Sequence, residues 1–166
     1  EYYLTDLIGI ANSNGFKIET LSVSWEETLG ANTRSEQEKL EQTYRKMKNE
    51  ELLKKGITLI DKNRIDVRGE LQAGVDCTID INVIFEGKVE LGNNVKIGAN
   101  TIITNTKIGD NSEILPFSHI DSSHIGKDCF IGPYARLREG SEIADGARIG
   151  NFVETKKAKI GQSTKA

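Results

Sequence analysis

The sequence predicts a mainly β chain wound as a parallel β-helix, and three observations carry that prediction. A six-residue beat runs from about Val67 to the last residue. An aliphatic residue opens each unit and a small one usually sits four places later, as in Ile97…Thr101, Ile108…Ser112, Ile114…Ser118, Ile125…Cys129 and Ile131…Ala135. Gly follows the aliphatic at Leu91, Ile97, Ile108, Ile125, Ile131, Ile149 and Ile160. Gly, Asn and Asp crowd between units (Gly92-Asn93-Asn94, Gly109-Asp110-Asn111), where tight or left-handed backbone is needed. A fixed short period is the mark of a solenoid, and a hexapeptide period that of a parallel β-helix. The competing reading is an ordinary alternating β-sandwich.

The elements before the beat read differently. Leu4 to Gly15 predicts a short amphipathic helix with Leu4, Leu7, Ile8 and Ala11 on one face and Asn14-Gly15 as its stop. Phe16, Ile18, Leu21 and Val23 predict a strand. Thr33-Arg34-Ser35-Glu36 is a capping box. A long polar helix follows to about Lys55 and is closed by Gly56. Its apolar residues are sparse (Leu40, Tyr44, Met47, Leu52, Leu53), as in a helix that connects domains. Residues Ile57 to Ile65 read as the lead-in to the first turn of the solenoid.

Three units close one triangular turn, each side being roughly 17–20 Å of strand. The opening residue and the small one before it are two apart, so both point inward. Five-residue units open at Ile103, Ile120 and Thr155, and the turns then run 91–107, 108–124, 125–142 and 143–159. This frame predicts three inward columns. They read Leu91, Ile108, Ile125, Ile143, Ile160; then Ile79, Ile97, Ile114, Ile131, Ile149; then Phe85, Ile103, Ile120, Leu137, Thr155.

Length allows one compact domain, or a small domain plus a solenoid, in 166 residues. A net charge of −3 argues against bulk affinity for nucleic acid. The charge is uneven, with seven Lys or Arg against four acids from Arg136 to Ala166, and five against nine from Val67 to Ala135. A local basic end suits an anionic ligand rather than a polyanion. Cys77 and Cys129 fall on the small inward position and read as buried thiols. No signal peptide and no membrane-spanning apolar run is legible, so a soluble, cytoplasmic protein is expected. The start at Glu1, and the stop at Ala166 inside the turn that Ile160 opens, suggest a piece of a longer protein.

The sharpest chemical feature is Arg138 with Lys156. Both hold the second place of their unit on the same side, one turn apart. Stacked strands lie about 4.8 Å apart, and like charges on adjacent strands repel. The frame pairs Glu139 with Lys157 and Arg136 with Glu154, but leaves Arg138 and Lys156 without an acid. A bound phosphate would resolve the repulsion; two solvated surface cations are the plainer alternative. The two histidines, His119 pointing outward and His124 in a corner, are too few for a zinc site. Outward apolar residues such as Ile102, Phe117 and Phe130 on the flat sides favour self-association.

Five runs occur in order: Glu1-Tyr2-Tyr3-Leu4-Thr5-Asp6, Gly30-Ala31-Asn32-Thr33-Arg34, Asp66-Val67-Arg68-Gly69, Ile131-Gly132-Pro133-Tyr134-Ala135-Arg136-Leu137-Arg138 and Gly150-Asn151-Phe152-Val153-Glu154. Together they resemble, over the whole chain, the bacterial bifunctional N-acetylglucosamine-1-phosphate uridyltransferase/glucosamine-1-phosphate acetyltransferase family. The resemblance implies a left-handed β-helix that trimerises and transfers acetyl from acetyl-CoA to glucosamine 1-phosphate. It also implies an α/β domain that transfers uridylyl from UTP with Mg²⁺ to make UDP-N-acetylglucosamine. On that basis residues 1–33 are the tail of the uridyltransferase domain, 34–56 a linker helix and 57–166 a truncated acetyltransferase β-helix. Asn32 would hold Mg²⁺ and nucleotide, an incomplete metal site by itself. Arg138 and Lys156 would bind the sugar phosphate.

No catalytic residue is expected within the chain. By the same resemblance, the catalytic His and the acetyl-CoA rungs follow Ala166, and the uridyltransferase phosphate loop precedes Glu1. The stretch alone is expected to be inactive. Glu139 stands where the family carries Pro, and Ser163-Thr164-Lys165-Ala166 stands for its Gly-Ser-Lys-Ala. Two other functions fit the pattern: a non-catalytic β-helix that only trimerises, and another sugar-phosphate nucleotidyltransferase with a β-helix tail.

Overall fold

The computed structural model describes residues 3–166; Glu1 and Tyr2, which open the first resembling run, lie outside them. The chain divides into two compact units, one reaching Leu40 and one running from Glu41 to Ala166.

In the first unit, helix α1 (Asp6–Ser13) is shorter than the expected Leu4 to Gly15. A 3₁₀ turn follows at Trp25–Thr28. The strand expected over Phe16 to Val23 does not form. A strand needs a partner for its N–H and C=O groups, and none of the described residues pairs with this segment. Phe16 and Leu21 remain exposed.

Helix α2 (Arg34–Lys54) begins with the expected capping box. The Glu36 amide donates to Thr33 Oγ1 at 3.2 Å, and the Thr33 and Asn32 amides donate to Glu36 Oε2 at 3.0 and 2.8 Å. Those backbone donors hold the Glu36 carboxyl below its ordinary range. At the other end Gly56 adopts φ +84° and donates to Leu53 O, while Ile57 donates to Leu52 O. This is a Schellman closure, and its apolar pair, Leu52 and Ile57, is buried.

The second unit is the solenoid. It starts one side earlier than the beat suggests: β1 (Thr58–Leu59) pairs with β3 (Thr78–Ile79), so Leu59 heads the second column. The three columns then follow the predicted order, every pair being in parallel register. Leu91 meets Ile108, Ile125, Ile143 and Ile160 in turn. Ile79 meets Ile97, Ile114, Ile131 and Ile149. Phe85 meets Ile103, Ile120, Leu137 and Thr155. Apart from Leu59 in the first turn and Ile160 in the last, which are half-buried, these side chains are buried, and the apolar ones form one continuous core.

The sides hydrogen-bond as two sheets rather than three. Two nine-residue strands, β2 (Ile65–Ala73) and β4 (Val83–Leu91), run through the first corner in register. The first residues of β4 pair with Ile102–Thr104 and its last two with Lys107–Ile108, which joins two sides. Hydroxyls at the small inward position are satisfied by corner backbone, as buried polar groups require. Ser112 Oγ donates to Gly126 O at 2.8 Å and accepts from the Cys129 amide at 3.1 Å. Cys77 and Cys129 are free and buried, and burial pushes both thiols up.

The polar helix is more than a connector. Asn49 is fully buried and donates to Lys62 O at 2.7 Å and Ile65 O at 3.0 Å. With Leu52 it seats the second half of α2 on the first turn. Phe117 lies at a corner (φ +61°) rather than on a flat side. There it stacks on Tyr134 at 5.0 Å, and Tyr134 on Phe152 at 5.4 Å. No helix among the described residues is long and apolar enough to cross a membrane.

Candidate functional site

Three adjacent strands of one side, His119–Asp121, Arg136–Leu137 and Glu154–Thr155, build the site. Side chains alternate along a strand, so Ile120, Leu137 and Thr155 face inward and their neighbours face out. Arg136 is in register with His119 on one edge and Glu154 on the other. The ladder continues past the strand end, the Arg138 amide donating to Thr155 O at 2.9 Å. Arg138 therefore sits one rung from Lys156, as the spacing predicts. A shallow pocket of about 220 Å³ opens here, lined by His119, Asp121, Arg136, Arg138, Glu139 and Lys156.

The expectation that these two cations lack acids is overturned. Arg138 Nη1 lies 2.8 Å from Glu154 Oε1, and Lys156 Nζ lies 3.3 Å from Glu139 Oε1. The expected pairs Arg136–Glu154 and Glu139–Lys157 give way to diagonal ones. Long side chains reach across a rung as easily as along a column, and each cation thereby gains a carboxylate. The hydrogen bond from Arg138, aided by the charges of Arg138 and Arg136, holds the Glu154 carboxyl below its usual range. Three cations (Arg136, Arg138, Lys156) thus face three carboxylates (Asp121, Glu139, Glu154). The contacts are solvent-exposed, and such pairs add little to stability.

Asp121, which the sequence did not single out, and His119, weighed there only against a zinc site, both line the pocket. The signal was present: each lies one 17-residue turn before Arg136 and Arg138. His124 is on a strand rather than in a corner, between Lys107 and Glu142 on another side. Among the described residues no three His, Cys, Asp or Glu come together as a metal site. Asn32, in the first unit, has an exposed side chain, and its neighbour Glu36 is engaged by the helix cap. One neutral amide oxygen is not by itself a Mg²⁺ site, which takes carboxylates and substrate phosphates as well.

A model of the bacterial transferase hexapeptide family, six repeats, matches residues 122–157, the stretch that carries Arg138 and Lys156. Among solved structures, the acetyltransferase domain of PglB from Neisseria gonorrhoeae superposes with a TM-score of 0.62 at 14% identity, over 75% of this chain and 62% of that one. AntD, an N-acyltransferase from Bacillus cereus in complex with dTDP and coenzyme A, gives 0.59 at 17% identity, over 68% of this chain and 79% of that one. These likenesses establish the fold alone. Repeat, columns and family match together define a hexapeptide-repeat solenoid.

The sequence relatives narrow this. Bifunctional protein GlmU of Aromatoleum aromaticum is 46% identical over 168 aligned residues, covering 100% of the chain. Bifunctional protein GlmU of Chromobacterium violaceum is 48% identical over 167, covering 99%. The chain belongs, along the stretch it spans, to the bifunctional GlmU proteins. It spans 37% and 36% of the length of these two relatives.

Proposed function

We propose that the chain is part of an enzyme of UDP-N-acetylglucosamine synthesis. Its β-helix serves acetyl transfer from acetyl-CoA to glucosamine 1-phosphate. Uridylyl transfer from UTP to N-acetylglucosamine 1-phosphate belongs to an α/β domain of which residues 1–33 are the tail. The single observation that carries the reading is the adjacency of Arg138 and Lys156 on a hexapeptide solenoid related to GlmU proteins. Arg138 offers a planar fork of donors to two phosphate oxygens, and Lys156 a compact charge to a third. Arg136, at the same rung, adds positive field. The pair binds and orients the sugar phosphate; it moves no proton.

Asn32 is proposed as one contact to Mg²⁺ and nucleotide, with the other ligands supplied from outside this stretch. The protein is proposed to act in the cytoplasm as a homotrimer.

The test is steady-state kinetics of both half-reactions on the intact protein carrying Arg138→Ala or Lys156→Ala. Loss of one charge-assisted hydrogen bond is about 1.5–3 kcal/mol, so kcat/KM for acetyl transfer should fall by about ten- to a hundredfold. Uridylyl transfer should be unchanged. Acetyl transfer at native efficiency in both variants overturns the assignment.

A further inference from the structure

We infer that Glu139 competes with the ligand's phosphate for Lys156, so that binding is an exchange of anions and Glu139 sets its affinity. The inference rests on the reading of Arg138 and Lys156 as the phosphate site.

Glu139 has no counterpart on the turns directly before and after it, whose units on this side are five residues long where this one keeps the regular six. Ile120 and His124, four residues apart, pair with Leu137 and Glu142, which are five apart; Thr155 and Lys159 on the next turn are again four apart. One extra residue is therefore housed at this corner. The left-handed place of the corner is held by Asn105, Ser122 and Lys157 on other turns (φ +44°, +45° and +48°) and by Gly140 (φ +72°) on this one. The residue without a counterpart on either neighbouring turn is Glu139, which stands just before the left-handed place. Its carbonyl accepts from the Lys157 amide at 3.0 Å, which ties the corner to the next turn. Its carboxylate is thereby set 3.3 Å from Lys156 Nζ, on the rim of the pocket.

The consequence is electrostatic. Three cations and two carboxylates line the pocket, and Glu154, paired with Arg138 beside it, brings the charges into balance, so a phosphate meets little net positive field. It gains Lys156 only by standing within a few ångströms of Glu139, where like charges oppose each other. The Glu139 and Lys156 side chains are 55% and 45% exposed, so the pair opens at small cost. Glu139 therefore grades the affinity and does not block the site.

The experiment is a ¹H–¹⁵N NMR titration of the 166-residue chain with inorganic phosphate at constant ionic strength. It compares the native chain, E139Q, K156A and the double variant E139Q/K156A. Removing one exposed ionic competitor should tighten phosphate binding by about two- to fivefold in E139Q. That gain should vanish when Lys156 is Ala. If E139Q binds like the native chain or more weakly while K156A loses affinity, the competition is refuted and the phosphate site stands. If K156A binds as the native chain does, or no saturable shift centres on these residues, the site reading fails and the competition with it.

Discussion

At Gly109 two successive turns touch through their backbones. A Cβ there would lie 2.7 Å from the carbonyl carbon and oxygen of Gly126 and 2.8 Å from the Lys127 amide nitrogen. At Gly161 the nearest atom to a new Cβ is Thr164 Oγ1 at 3.4 Å, an ordinary contact. Gly109→Ala should therefore cost about 1–3 kcal/mol by overpacking, and Gly161→Ala about 0.5 kcal/mol or less. Urea unfolding of the two variants checks this, and equal losses would refute the close approach. Single residues were legible in the sequence wherever the period alone located them. Arg138 and Lys156 share a place in the unit, so their adjacency followed from counting. Their acids did not, because a frame of columns sees only vertical neighbours. Glu154 and Glu139 reach their partners diagonally, whereas His119 and Asp121 lie one 17-residue turn before Arg136 and Arg138, within reach of the same counting.

Local bonding decides which elements could be read. The capping box and the Schellman closure of α2 depend on bonds between residues three to five apart, so four to six letters specify each. A strand over residues 16–23 depends on a distant partner, and alternation of Phe16, Ile18, Leu21 and Val23 does not supply one. The docking of α2 was hidden for the opposite reason. Asn49 in a polar helix looks solvated, yet it closes two backbone carbonyls of the first turn. Asn49→Ala should lower stability by about 1–3 kcal/mol, since buried acceptors are left unpaired. Chemical denaturation measures the loss, and hydrogen exchange should show it concentrated between α2 and β2. Unchanged stability would mean that water replaces the amide there.

For the whole solenoid, each turn contacts chiefly the turns above and below it, so stability accumulates rung by rung. The three columns were predictable because parallel strands in register keep like with like. The sheet that folds through the first corner was not, since nothing in the hexapeptide beat distinguishes a bent strand from a broken one. The exposed corner stack of Phe117, Tyr134 and Phe152, with Phe130 nearby on a side, is an apolar surface that favours association. Sedimentation equilibrium should give a mass three times that of the 18.3 kDa chain. A monomer at high protein concentration would refute the trimer.

The place that Glu139 fills, missing from the five-residue units on either side, carries a consequence for how such a protein changes. An extra residue within a side would reverse every later side chain on that side, turning core out and surface in. At a corner it is absorbed on the spot: Glu142 and Ile143 regain their alignment with Lys159 and Ile160. Corners are thus the places where one storey of the stack can be edited without disturbing its neighbours. Ligand preference on such a scaffold can drift by insertions as readily as by substitutions, while the interior that supports it keeps its order.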